Sequence, residues 1–224
     1  MAKRKAGREA GGAAPPAILL ARKVSKEIEG TVLLAPVDLA VRAGECVVLR
    51  GGNGSGKTTL LRILAGTMDP SDGTATVDGL PSDERTAAVR RDVAALIGSP
   101  TNYRDLTLVD HLVLVGATWG QGPDGDERAE AMLETLEIGH LAERFPHELS
   151  SGQQQLFHLA MVLSRPARVL LLDEPEQRLD THKRHLLGEL LSERKAAGTA
   201  LVVACHDPDL TEQVADRVLD IVPA

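Results

Sequence analysis

A chain of 224 residues is long enough for one large α/β domain, or a core domain with a smaller insert, and too short for two full enzyme domains. Its 43% hydrophobic content is ordinary for a soluble globular protein, and no apolar stretch approaches the roughly 18 uncharged residues of a membrane-spanning helix. A net charge of −7 argues against broad, sequence-independent nucleic-acid binding, which needs many Lys and Arg contacts to phosphate, so no nucleic-acid partner is expected.

Residues 1–17 are basic, small and rich in Gly and Pro, without the apolar centre of a secretory signal, and are expected to be a disordered tail. Strands are then predicted at 18–24, 32–41 and 45–50, the last running directly into a glycine cluster. "KTTLLRILAG" (57–66) has helical spacing and stops at Gly66, and "GTATVDG" (73–79) reads as a short strand between turn residues. The apolar run that begins at Val93 breaks on Gly98-Ser99-Pro100, and from Leu106 to about Leu163 the pattern is helical throughout. Strand character returns at 168–175, 199–206 and 217–222, with a charged helix near 181–197 and another before the last strand. Strands alternating with helices imply a parallel sheet covered on both faces. Cys46 and Cys205 sit in apolar runs and read as buried thiols; Cys205 with His206 lacks further ligands at any usual metal-binding spacing.

"GGNGSGKTT" spans Gly51, Gly52, Asn53, Gly54, Ser55, Gly56, Lys57, Thr58 and Thr59, and contains the P-loop pattern in its required context, strand before and helix after. The glycines permit backbone angles that aim N–H groups at phosphate oxygens, and the helix adds the positive end of its dipole. Lys57 supplies a point charge for the β and γ phosphates, and Thr58 a hydroxyl ligand for Mg²⁺. Further on, "VLLLDEP" ends a strand with Asp173 and Glu174. Adjacent carboxylates at a buried strand end need a partner: Asp173 can hold Mg²⁺ through water, while Glu174 orients or deprotonates the water attacking the γ phosphate. A surface acidic turn is the other reading of this pair, and the P-loop weighs against it.

Together these residues resemble an ATP-binding cassette (ABC) ATPase, and the match runs from about residue 18 to 222. "LSSGQQQ" (149–155), with Ser150, Ser151, Gly152 and Gln153, resembles the family's signature sequence; "RLD" (178–180), with Asp180, its D-loop; and "ACHD" (204–207) its switch histidine, His206. The resemblance implies a P-loop NTPase (RecA-like) parallel-sheet core at 18–98 and 166–224, an N-terminal antiparallel β subdomain, and a helical subdomain at about 99–165, all within one domain, 18–224. It implies two cassettes pairing head to tail around ATP and Mg²⁺, each signature closing over the nucleotide held by the other P-loop, with Asp180 a contact across the dimer. A separate integral membrane permease, docked near Tyr103 and Leu106, would hold the chain at the cytoplasmic face of the membrane.

The chain departs from the family's pattern in several places. Counting back from "DLT", the Q-loop glutamine falls on Gly98, which has no side chain to reach Mg²⁺ or water; Ser99 or Asn102 are the substitutes at hand. The adenine-stacking aromatic falls near Ile28, which has no π face. Ser151 replaces a signature glycine, and Gln177 the D-loop serine. The leading expectation is the ATP-hydrolysing subunit of a transporter. The rivals are a regulatory ABC ATPase that moves no substrate, and a weakly hydrolysing, nucleotide-dependent binding module.

Overall fold

The computed structural model of the chain describes residues 16–122 and 124–223. The expected tail lies outside the described residues up to residue 15, and its last member, Ala17, already opens the first strand. In chain order the elements are β1 (Ala17–Ile28), β2 (Thr31–Arg42), β3 (Cys46–Arg50), α1 (Lys57–Ala65), β4 (Asp72–Val77), β5 (Leu80–Pro81), α2 (Ala87–Asp92) and β6 (Val93–Leu96). There follow α3 (Leu108–Thr118), α4 (Gly125–Thr135), two short 3₁₀ turns, α5 (Ser151–Leu163), β7 (Val169–Asp173), α6 (Thr181–Ala196), β8 (Ala200–Ala204), α7 (Pro208–Val214) and β9 (Arg217–Asp220).

An antiparallel sheet has the order β2-β1-β4-β5, and its hairpins are built on two-residue turns, Glu29-Gly30 and Asp78-Gly79, with both residues of each at positive φ. That geometry matches the right-handed twist of the strands it joins. Pairing along the β1–β2 hairpin extends both strands beyond the apolar stretches that mark them in the sequence, and β1 carries polar residues through several register shifts. The second sheet, order β6-β7-β8-β3-β9, is parallel throughout. Both the parallel core and the antiparallel subdomain expected from the sequence are present. The helix α2 is an addition: six residues long, it is too short to show a period.

Side-chain alternation in the parallel strands divides the interior in two. Val47 and Leu49 of β3, with Val169 and Leu171 of β7, face a cluster that contains Leu60, Leu61, Ile63 and Leu64 of α1 and extends to Leu19 and Leu34 of the antiparallel sheet. Cys46 and Val48, with Leu170 and Leu172, face the opposite cluster, built on Phe157 and Leu159 of α5 and Leu187 and Leu191 of α6. Each such Leu contributes about 2 kcal/mol relative to exposure, so α1 is clamped between the two sheets by its apolar side. Both cysteines are buried, and burial pushes each thiol up to about 12. The junction of the helical block with the sheet is tied by Arg165, which donates to the carbonyls of Arg90 and Val93, each at 2.8 Å, and lies 4.5 Å over the Trp119 ring.

Candidate active site

Strand β3 delivers the chain to a tight loop, 51–56, in which Gly54 and Gly56 have φ of 78° and 102°. A side chain at Gly56 is doubly opposed, since a Cβ there would stand 2.6 Å from the Leu33 carbonyl oxygen. Gly56 also caps α1 without any side-chain acceptor, so the first-turn N–H groups are left for a ligand. Lys57, 5% exposed, folds its ammonium back on the loop, donating to the carbonyls of Gly51 at 2.7 Å and Gly52 at 3.1 Å. Ser55 Oγ is buried with no partner. Residues 53–59, with Leu33 and Glu174, line a cavity of about 390 Å³. Ile28 does not line it; it stands exposed at the end of β1, and Leu33 provides the apolar wall.

Strand β7 ends at Asp173, and Glu174, the next residue, lines this cavity. Thr58 Oγ1 donates to Asp173 Oδ2 at 2.7 Å. Burial raises the Asp173 carboxyl above its ordinary value; the Thr58 hydrogen bond opposes the shift and the Glu174 charge adds to it. Glu174 has φ 50°, a conformation unusual for a residue with a Cβ, and its N–H donates to the Ala204 carbonyl at 2.8 Å. His206 follows β8, and its Nε2 lies 3.2 Å from Glu174 Oε1. The backbone N–H of His206 donates at 2.8 Å to Glu176, a carboxylate only 6% exposed. The sequence reading passed over Glu176; its signal was a third acid in "DEPEQ", beside two that already had roles.

The hydroxyl of Thr58 and the carboxylate of Asp173 are hard oxygen donors in contact, suited to Mg²⁺, which takes one or two protein oxygens and fills its shell with water and phosphate. Among the described residues no group of three or more His, Cys, Asp or Glu could hold a metal by itself.

A second, polar cavity of about 210 Å³ shares Thr58 and Glu174 with the first and is bordered by Asp173, Gly98, Ser99, Gln155, Gln177 and Arg178. Gly98 borders it with φ at 72°, and among the described residues no atom lies within 4 Å of a Cβ built there. Of the two substitutes, Ser99 borders the cavity, whereas Asn102 is turned away, its Nδ2 3.2 Å from His158 Nε2. Gln155 is held by a bond from Nε2 to the Pro175 carbonyl at 3.0 Å.

The signature residues occupy the start of α5. Ser150 is the N-cap: its Oγ accepts from the Gln153 N–H at 3.3 Å, and Gln153 Oε1 accepts from the Ser150 N–H at 2.9 Å. Ser151 opens the helix, and at Gly152 a Cβ would meet the Arg178 carbonyl oxygen at 2.7 Å. Asp180 caps α6, accepting from the Lys183 N–H at 2.8 Å. Ser150, Gly152, Gln153 and Asp180 border a cavity of about 340 Å³ that shares no residue with the P-loop cavity.

The family model described as ABC transporter matches residues 34–177. The chain belongs to that family. The cassette is 38% identical to the hemin import ATP-binding protein of Streptomyces coelicolor, over 92% of this chain and 75% of that one. It is 33% identical to the Nod factor export ATP-binding protein I of Cupriavidus pinatubonensis, over 88% of this chain. The cassette spans 61% of the length of the Nod factor protein and 26% of a Bifidobacterium longum relative's. A dimeric cassette solved bound to ADP and Pi shares its fold, with a TM-score of 0.81 at 24% identity, covering 91% of this chain and 94% of that one. Fold and family are therefore those of ABC ATPases, nucleotide-binding subunits of transporters.

Proposed function

We propose that the cassette is the ATP-hydrolysing subunit of a membrane transporter, working as a head-to-tail pair that clasps two ATP molecules with Mg²⁺. The observation that carries this reading is that Thr58 and Glu174, which line the P-loop cavity, are each joined to a second acid–base group, Thr58 to Asp173 at 2.7 Å and Glu174 to His206 at 3.2 Å. Lys57 exchanges the Gly51 and Gly52 carbonyls for β and γ phosphate oxygens, and residues 51–59 supply the N–H cradle. Thr58 and Asp173 hold Mg²⁺, which when bound supplies positive charge to the phosphate oxygens. Glu174 accepts the proton of the attacking water, and His206, linked to it, steadies that carboxylate and meets the γ phosphate.

The separation of the P-loop and signature cavities within one chain supports pairing, in which Ser150, Ser151, Gly152 and Gln153 close over the partner's nucleotide and Asp180 touches the partner cassette. We assign 18–98 and 166–224 to the nucleotide-binding core and about 99–165 to the helical subdomain. Tyr103, 61% exposed, and Leu106 lie on the connecting loop and form the contact with an integral membrane permease at the cytoplasmic face. No helix among the described residues is long and apolar enough to cross a membrane, which accords with a separate membrane subunit.

Glu174→Gln tests the reading: turnover is expected to fall about 10²-fold or more with nucleotide binding intact, and ATP-bound dimers to accumulate in size-exclusion chromatography. Undiminished turnover in that variant overturns the role. A second reading, a nucleotide-dependent binding module, is favoured by one observation, the missing side chain at Gly98 in the polar cavity. Phosphate release by the unmodified chain, measured with and without a co-purified membrane protein, separates the two.

A further inference from the structure

On the reading of the cassette as an ATPase, we propose that Arg178 is a further catalytic residue, its guanidinium binding the γ-phosphoryl oxygens of ATP in the cavity it shares with Thr58, Asp173 and Glu174. Among the described residues, Arg178 is the one cationic side chain bordering that cavity. It is exposed and makes no side-chain hydrogen bond or ion pair among the described residues, although two carboxylates border the same space. Elsewhere in the chain arginines beside carboxylates are engaged, as Arg184 is with Asp207 at 2.9 Å and Arg168 with Asp78 at 2.7 Å. Gly98, which borders the same cavity, projects nothing into it, so the space has room for a long, planar donor.

The backbone presents Arg178 at a cost. Its φ is 64°, the left-handed region that disfavours a Cβ, and its carbonyl oxygen lies against Gly152, where any side chain would collide with it. Strain of this kind persists where neighbouring structure enforces it, and it gathers at sites that act on ligands. The N–H of the next residue, Leu179, donates to the Glu176 carbonyl at 3.2 Å, closing the turn that aims Arg178. A guanidinium pairs with phosphate through two parallel hydrogen bonds, and a positive group on the transferring phosphoryl stabilises the charge that spreads over its oxygens. Arg178 also borders the signature cavity, so it is common to the nucleotide-hydrolysing space and to the surface proposed to meet a partner.

ADP lacks the γ phosphate, which gives the test. In the full chain carrying Glu174→Gln, titration calorimetry with Mg²⁺-ATP and Mg²⁺-ADP is expected to show Arg178→Ala weakening ATP about 10-fold while ADP stays within about 2-fold. With Glu174 intact, the same change is expected to lower kcat by about 10²-fold or more, and Arg178→Lys to restore part of it. Arg178→Gly guards against misfolding: it removes the guanidinium and relieves the positive-φ strain, so it is expected to melt above the unmodified chain yet lose ATP affinity as the alanine variant does. Equal weakening of ATP and ADP, or no weakening of ATP, overturns the proposal. A loss that appears only at protein concentrations where dimers form assigns the guanidinium to the partner's nucleotide and overturns the placement in its own site. Failure of the Glu174→Gln chain with Arg178 intact to bind either nucleotide removes the ATPase reading, and this proposal with it.

Discussion

Two helix starts in this molecule answer the same electrostatic problem in opposite ways. At α1 the cap is a glycine with no side chain, Ser55 Oγ is buried without a partner among the described residues, and Lys57 rests on loop carbonyls, an arrangement that leaves room for the phosphate proposed to bind there. At α5 the cap is closed internally, with Ser150 and Gln153 each satisfying the other's N–H. The N–H groups at α5 are already capped by side chains and give up a bond when they take a ligand, whereas no side chain caps α1, so on the proposed reading the backbone of the second start adds less binding than that of the first. On the proposed reading the chain would hold one primary phosphate site and one auxiliary site.

The largest expected effect breaks the α1 start. Lys57→Ala should reduce ATP affinity of the isolated chain about 10²-fold, measured by titration with a fluorescent nucleotide, because the one cation that lines the P-loop cavity among the described residues is lost. Ser150→Ala should leave that affinity within about 2-fold while lowering stability to denaturant by about 1 kcal/mol, the usual worth of a cap. If it weakened ATP as much as the lysine change, the contrast between the two starts would collapse.

The smallest effect sharpens the picture at Asp173, whose carboxyl is raised by burial. A raised acid binds its proton more tightly in the folded chain, so its contribution is most favourable at low pH. That contribution is lost as pH climbs from the ordinary carboxylate value through the raised one. Asp173→Asn should therefore stabilise the nucleotide-free chain at pH 7, with the gain vanishing as pH falls below the ordinary carboxylate range. Equal stability of the two forms at pH 7 would show that the carboxylate is well solvated in the empty site.

Much of this was legible in the residues, for identifiable reasons. Strands β3, β7 and β8 are buried on both faces, so they read as unbroken apolar runs, and the glycines after β3 mark the loop directly. The elements α2 and β6 were not read, because six and four residues leave no period to detect. The vacancy at Gly98 could be counted from the motif, but its open, left-handed setting could not. Glu176 and Arg178 escaped because their importance comes from burial and backbone angle: a buried acid holding the His206 backbone and an arginine at positive φ look like ordinary charged loop residues in a string of letters.

The chain contains a single tryptophan, and Trp119 lies at the end of α3 beneath the Arg165 guanidinium that also grips Arg90 and Val93. A rotation of the helical block against the parallel sheet that strains the hold of Arg165 on Arg90 and Val93 would disturb its contact with the ring. The indole is therefore an intrinsic optical gauge, whose emission, followed in a stopped-flow mixing experiment, would time the motion of the helices against the binding of nucleotide with no label attached.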